Sequence, residues 1–389
     1  MIVFFWISLF IIFYAFIGYG IVLFFMVKLR QILCGKRSIG KEIISDLPTC
    51  TVIVAAYNEE DFIEQKIQNT LALNYPEDKI TFLFVTDGST DKTPEIVSQY
   101  PQIKLMHLPD RLGKIAAVQR AVDAASTETI VFTDANTHLN SNALIKLCRH
   151  YADPMVGAVA GEKRVHIDAA SDATAGEGFY WKYESKLKMW DSELNSVVGA
   201  AGELYSIKKA LYEPVHSNSI IDDFMISMLI AKKSYRIVYE PEAFATETSS
   251  ANIKEELKRK TRIAAGGLQS VIWLKSLLLP FKQPLLSFQY VSHRVLRWTV
   301  VPFLMIAALL LNITIVAQIH LLLYQIILLA QIVFYTAALL GWILEKQQIK
   351  IKALFIPYYF GMMNYAVIAG ICRYLFSEQS AAWEKSERK

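Results

Sequence analysis

Apolar positions fall into two kinds of run along this chain. Long, almost uninterrupted runs occupy the two ends, and short ones punctuate the middle. Three short runs stand out: TVIVAA (51–56), ITFLFVT (80–86) and TIVFTD (129–134). Each ends in polar or acidic residues, namely Tyr57-Asn58-Glu59-Glu60, Asp87-Gly88-Ser89-Thr90-Asp91 and Asp134-Ala135-Asn136-Thr137. Patterns of helical period separate them, over about 60–73, 91–99 and 114–125. Strands alternating with helices predict βαβ units and a mostly parallel sheet, the α/β class. Near-continuous apolar strands fit a sheet covered on both faces. Open sheets of this kind bind ligands beyond the carboxyl ends of their strands. The acids at 59, 87 and 134 are therefore expected in one crevice, where carboxylates suit a divalent cation and a sugar or nucleotide.

The long runs predict helices that cross a membrane. Residues 2–27 carry no charge, and at ~1.5 Å per residue the run spans ~39 Å, enough for a bilayer with some tilt. Met1-Ile2-Val3-Phe4-Phe5-Trp6 lacks the basic start of a signal peptide, so 1–28 reads as a retained anchor. Lys28, Arg30, Lys36, Arg37 and Lys41 follow at once. Excess positive charge marks the cytoplasmic side, which puts the next domain, 48–265, inside the cell. Residues 266–295 are amphipathic and interrupted by Pro280 and Pro284, as expected of interfacial helices. Three more crossings follow within 296–376, at about 296–317, 320–344 and 353–376, and then a tail, 377–389. Glu345, Lys346, Lys350 and Lys352 suit a cytoplasmic loop between the last two. The reading is a multi-pass protein of the cell membrane, in contact with its lipid.

Composition narrows the classes. The chain has 389 residues, 53% hydrophobic, with a formal net charge of +4, which fits one soluble domain plus membrane segments. No Lys/Arg stripe interleaved with aromatics is present, so nucleic acid is not an expected partner. Cys34, Cys50, Cys148 and Cys372 are scattered without zinc-ligand or redox spacing and are expected to be buried or idle.

The motifs VIVAAYNEE, VTDGSTDKT, RLGKIAAVQRA, TDANT, IIDDFMISMLI and RKTRI, in this order, resemble those of family 2 glycosyltransferases with a GT-A fold. That is the family of cellulose, chitin, hyaluronan and poly-N-acetylglucosamine synthases, and the resemblance covers roughly 48–270. It implies a Rossmann-like nucleotide-sugar domain and an inverting transfer from a UDP-sugar, assisted by Mg²⁺ or Mn²⁺. By resemblance, Ala56, Tyr57 and Glu59 hold the nucleoside, and Asp87 binds uracil through its ring N–H. A turn or helix-cap role is the structural alternative for Asp87 and Asp91. Lys114, after Gly113, lies near the diphosphate in similar enzymes, where a cation offsets charge. Asp134-Ala135-Asn136 occupies the place of the family's Asp-x-Asp, making Asp134 the main metal ligand and Asn136 a neutral second one. His138 is a further candidate. In Asp222-Asp223, the second acid corresponds to the catalytic base that takes the acceptor's proton.

Arg259-Lys260-Thr261-Arg262-Ile263 stands where processive relatives carry Gln-x-x-Arg-Trp. Arg262 matches the arginine that clamps diphosphate, with Arg259 in the glutamine's place. Ile263 replaces the tryptophan that stacks the acceptor sugar; the aromatic-rich stretch at 174–192 is expected to be a helix packed on the sheet, with Trp181 and Trp190 as candidate platforms in the alternative, acceptor-lining role. Gly199-Ala200-Ala201-Gly202-Glu203 is small enough for close backbone approach. The acceptor is a growing polysaccharide or a lipid-linked sugar, with single-sugar transfer to a lipid as the alternative. A non-catalytic subunit that only binds nucleotide-sugar is the rival of another class. Neither the sugar nor any export or assembly partner is legible.

Overall fold

The structure is a computed structural model that describes residues 1–35, 37, 47–166, 174–248, 253–347, 349 and 351–376. Lys36, Lys41, Lys350 and the tail 377–389 lie outside the described residues.

One eight-stranded sheet organises the middle of the chain, in the order β3-β2-β1-β4-β7-β6-β8-β5. β1 (Cys50–Ala56) pairs in parallel with β2 (Ile80–Asp87) on one side and β4 (Thr129–Asp134) on the other. β3 (Ile103–Leu108) extends the parallel half beyond β2. β7 (Leu204–Lys208) pairs antiparallel with both β4 and β6 (Val156–His166). β8 (Arg236–Thr248) runs parallel to β6, and the two-residue β5 (His138–Leu139) closes the edge antiparallel to it. The sheet is thus mostly parallel, with antiparallel pairs on both sides of β7 and at the β5 edge.

The three runs read from the sequence became β1, β2 and β4, and every residue of β1 is buried. Its side chains alternate into two cores. Ile53 and Ala55 face one that includes α4 (Lys114–Ala124) and α7 (Asp222–Lys232). Val52, Val54 and Ala56 face another that includes α2 (Ile63–Leu71) and α5 (Ala143–Cys148). Burial on both faces is what removes polar alternation from a strand. The short helix α3 (Thr93–Ser98) lies between β2 and β3, and α6 (Thr174–Leu194) between β6 and β7. Because β2 and β3 lie on one side of β1 and β4 on the other, the switch in strand order opens a crevice past the ends of β1 and β4.

Helix α8 (Ile253–Trp273) runs unbroken through position 265. After it, Leu274, Leu277, Leu286 and Tyr290 pack into the core of the sheet, while Leu279, Phe281 and Leu285 are exposed. α9 (Pro284–Tyr290) starts at its proline, where a missing N–H costs nothing.

Among the described residues, four helices are long and apolar enough to cross a membrane: Ile2–Cys34 (α1), Val301–Gln318 (α10), Leu322–Lys346 (α11) and Ala353–Phe376 (α12). Cys34 and Cys372 on two of them are exposed; Cys50 and Cys148 are buried. α12 crosses α8 closely at Gly370, where a Cβ would come within 2.7 Å of the Thr261 carbonyl oxygen.

A buried polar joint ties the sheet domain to α1. Asp191 and Glu184 of α6 flank His293, whose Nδ1 lies 2.6 Å from Asp191 and Nε2 3.2 Å from Glu184. Tyr19 donates to Asp191, Gln289 donates to Asp191 at 3.0 Å, and Arg297 pairs with Glu184. Arg297 and Tyr183 also donate to the carbonyls of Ala15 and Phe16, at 2.9 and 2.7 Å. Those carbonyls belong to a π-helical turn in α1, Tyr14–Gly18, where the i→i−4 ladder is interrupted.

Candidate active site

The crevice at the strand switch has two adjoining parts that share Ala55 and Lys114. Tyr57, Asp87, Arg111 and Gly113 line the first, together with Ala56. Asp134, Asp222, Asp223, Gly202 and Tyr205 line the second. Of the residues expected from the sequence, Ala56, Tyr57, Asp87, Lys114, Asp134 and Asp223 are brought together.

In the first part, Asp87 ends β2 and is 4% exposed. Its carboxylate accepts the Gly113 N–H at 2.5 Å and an Arg120 N–H at 3.0 Å. Asp87 thus pins the loop that leads into Lys114. Gly88 has φ 68°, and a Cβ there would lie 2.6 Å from Arg111 Cβ, so only glycine lets that loop close down. Arg111 then stacks its guanidinium 3.9 Å from the centre of the Tyr57 ring. Arg111 and Arg120 were missed from sequence, because a single arginine in a loop or on a helix carries no pattern.

Asp91 serves as a clamp, accepting the N–H groups of Thr93 and Glu60 at 3.0 Å each. Glu59 is buried and lines neither part of the crevice; its carbonyl accepts the N–H of Ile63 at the start of α2.

The second part is an acidic cluster crossed by cations. Lys114 Nζ lies 3.0 Å from Asp134 Oδ1. Burial alone would lower the Lys114 pKa, but Asp134, Asp222 and Asp223 outweigh it and hold the ammonium well above its ordinary value. Asp222 and Asp223 sit in the first turn of α7, where the helix dipole favours anions. Even so, burial and then the neighbouring Asp222 push the Asp223 carboxyl up to about 7, against the pull of Lys114. Arg262 is half-buried on α8 in the field of all three aspartates, while burial itself lowers its pKa.

The segment Gly199–Glu203 makes the close approach its composition suggests. Gly199 has φ 81°, and a Cβ there would clash with the Phe224 ring at 2.1 Å. A Cβ on Gly202 would lie 3.3 Å from Asp223 Oδ2 and 3.8 Å from Asp134 Oδ2. That segment therefore forms the floor between the two acids.

Other expected residues lie elsewhere. Arg259 pairs with Glu256 at 3.1 Å and with Glu247 at 3.7 Å, and lines neither part of the crevice. Asn136 is half-buried in the turn after Asp134, and His138 is exposed at the start of β5. Trp190 packs on Phe24 of α1 at 5.4 Å; the side chain of Trp181 lies outside the described residues. One residue the sequence did not flag is Lys66, 1% exposed beneath the Asp134 turn, with its pKa pushed down to about 7 by burial.

Residues 51–213 match the family model described as Glycosyl transferase family 2. Over 255 residues the chain is 26% identical to the poly-beta-1,6-N-acetyl-D-glucosamine synthase of Staphylococcus aureus (strain MSSA476), across 64% of this chain and 61% of that one. The synthase of the same name from Staphylococcus epidermidis is 26% identical over 222 residues, across 55% and 53%. The matched stretch thus spans roughly three fifths or less of these curated relatives. Among solved structures, a mannosyltransferase from Pyrobaculum calidifontis in complex with GDP-Man and Mn²⁺ superposes with a TM-score of 0.70 at 23% identity. The likeness covers 96% of this chain and 99% of that one, so the shared GT-A fold takes in the apolar helices as well as the sheet.

Proposed function

We propose that this chain is a membrane-bound inverting glycosyltransferase that moves a sugar from a UDP-sugar to a growing polysaccharide. The observation that carries the reading is the placement of Asp223. It is a carboxylate with a pKa near 7, opposite a Lys114–Asp134 pair, in the crevice where sheets of this topology bind nucleotides. In this reading Ala56, Tyr57, Asp87 and the stacked Arg111 form the nucleoside wall. Lys114 and Arg262 bind the diphosphate oxygens, and Asp223 takes the proton from the attacking acceptor hydroxyl.

Among the described residues no three His, Cys, Asp or Glu side chains form a ready cage. Asp134 together with substrate phosphates fits instead the way Mg²⁺ and Mn²⁺ are held in phosphate-transfer sites, by one or two carboxylates plus phosphate. Asp134 would be the ligand, with Asn136 beside it. A bound cation would neutralise charge on the departing nucleotide diphosphate. Lys114 competes for the same carboxylate and must yield part of it when the cation binds. The basic residues Lys28 and Arg30 in the last turns of α1 and Arg37 just beyond it support a cytoplasmic sheet domain, where nucleotide-sugars are made.

The test is nucleotide release by the purified full chain in detergent. UDP-N-acetylglucosamine, the donor suggested by the staphylococcal relatives' name, would be compared with other UDP-sugars and GDP-mannose. UDP release that depends on Mg²⁺ or Mn²⁺ is expected. Full activity in excess EDTA would remove the cation from the account, and no release from any donor would overturn the reading.

A further inference from the structure

Lys66 sits on α2, on the far side of β4 from the crevice, and is 1% exposed. None of the described carboxylates reaches ion-pair distance of it. A buried ammonium without a carboxylate is costly unless every N–H is answered. Here every one is. Nζ donates to Thr133 Oγ1 at 2.9 Å, to the Thr137 carbonyl at 2.8 Å and to Thr137 Oγ1 at 3.2 Å.

The direction of these bonds is fixed by the two threonines. Thr133 donates its single hydroxyl hydrogen to the carbonyl of Glu203 at 3.0 Å. Thr137 donates its own to the carbonyl of Asp134 at 2.9 Å, closing the Asp134-Ala135-Asn136 turn. Each hydroxyl, having spent its hydrogen on a backbone carbonyl, can only accept from Lys66. The lysine is therefore the donor in all three of its bonds at the centre of the network. Its bonds run directly to Thr137 in the Asp134 turn and to Thr133, which carries the link on to the Gly202–Glu203 floor.

We infer that Lys66 is a positioning residue for the diphosphate-and-cation half of the site, holding the Asp134 turn at a set distance from the Gly202–Glu203 floor. It touches neither crevice, so its effect passes through the placement of Asp134. The inference rests on the nucleotide-sugar reading above. It predicts a split that a merely structural role would not produce, because the nucleoside wall of Tyr57, Asp87 and Arg111 hangs on β1, β2 and α4 rather than on Lys66.

The experiment compares Lys66→Met, which keeps most of the volume and removes the three bonds, with the unaltered full chain in detergent. UDP binding in the presence of Mn²⁺ is measured by calorimetry, and uridine binding without metal by NMR. Lys66→Met is expected to weaken Mn²⁺-supported UDP binding at least tenfold and to leave uridine binding within twofold. Equal losses for both ligands, or no loss for either, would overturn the inference. Should Lys66→Met fail to fold, Thr137→Val leaves the lysine two acceptors and must show the same split at about threefold; an even loss there is equally fatal. If the unaltered chain binds UDP no better with Mn²⁺ than without, it is the underlying reading that fails, a result distinguishable from the failure of Lys66.

Discussion

At the ends of β1 and β4, three aspartates face Lys114 and Arg262 across a half-open crevice. At the root of α1, Asp191 and Glu184 are closed in by His293, Arg297, Tyr19 and Gln289. Both clusters bury carboxylates beside cations, yet they are built for different ends. In the joint, His293 and Asp191 are fully enclosed, Glu184 is 5% exposed at its side chain, and both carboxylates carry several partners. In the crevice, Lys114 and Asp134 keep side-chain exposures of 22% and 18%, and one acid, Asp223, is left with its pKa near 7. Charge that is satisfied internally holds elements together. Charge that is left strained and reachable awaits a ligand. The comparison is thus between a site that gives up electrostatic comfort to do chemistry and one that has no chemistry to do.

Replacing the strained acid should have the largest effect. Asp223→Asn keeps the shape and removes the base, so transfer should fall by about 10³-fold, within the usual range for a general base. UDP binding should stay within a few-fold. The intact protein should also lose activity below pH 7, about tenfold per unit, because only the ionised carboxylate accepts the proton. Stability runs the other way. A carboxyl whose folded pKa is raised from 3.8 to about 7 binds its proton more tightly when folded, so stability falls as pH rises from about 4 to 7. Asp223→Asn should therefore melt higher than the unaltered chain at pH 8 and not at pH 4. Near-normal turnover, or a melting shift independent of pH, would show that Asp223 is not the strained partner in this comparison.

The opposite signature is expected of the joint. Glu184→Gln leaves Arg297 without its carboxylate and His293 with Asp191 alone in a closed site, and breaking a buried pair costs about 3 kcal/mol. The melting temperature should drop by several degrees in detergent, while kcat of the protein that remains folded stays within twofold. A kcat loss larger than the stability loss accounts for would mean that the joint acts on the crevice and is not a purely structural tie.

The sequence made the crevice legible and the joint almost invisible, for a physical reason. Strands buried on both faces write continuous apolar runs, and acids at their ends stand out against them; β1, β2, β4 and the start of α7 were readable on that basis. β3 is an edge strand with three of its six residues half-buried, so IKLMHL carries no clean run. β6 to β8 depend on pairing with partners far away in sequence, parallel between β6 and β8 and antiparallel at β7, which no local pattern records. Lys66 reads as an exposed helix lysine, and it is Thr133 and Thr137, brought under it by the fold, that answer its N–H groups once it is buried. The same holds for His293, whose partners come from α6. Arg259 shows the converse: its place in the motif suggested a ligand role, but Glu247 and Glu256 occupy it.

The smallest expected effect concerns chain length, and it sharpens the comparison within the crevice itself. A polymerising enzyme must hold its acceptor between transfers, and an aromatic face beside the base serves that end. Trp190 is spent on Phe24 of α1, far from this task. Ile263 lies on α8 next to Arg262 and one turn before Gly267. A Cβ on Gly267 would lie 2.7 Å from the indole of Trp298, and that indole packs edge-on against Phe224, the neighbour of Asp223, at 5.2 Å. The glycine thus makes room for a ring supplied by a later segment, close to where the motif would otherwise carry its tryptophan. Residues four apart share a helix face, so Ile263→Trp would set a second ring beside Trp298. It should lengthen the products, read by gel or mass spectrometry with excess UDP-sugar, while the rate of UDP release changes less than threefold. An unchanged length distribution would remove position 263 from acceptor holding and leave Arg262 as the motif's working residue, because its bidentate fork suits diphosphate whether or not a sugar face is stacked beside it.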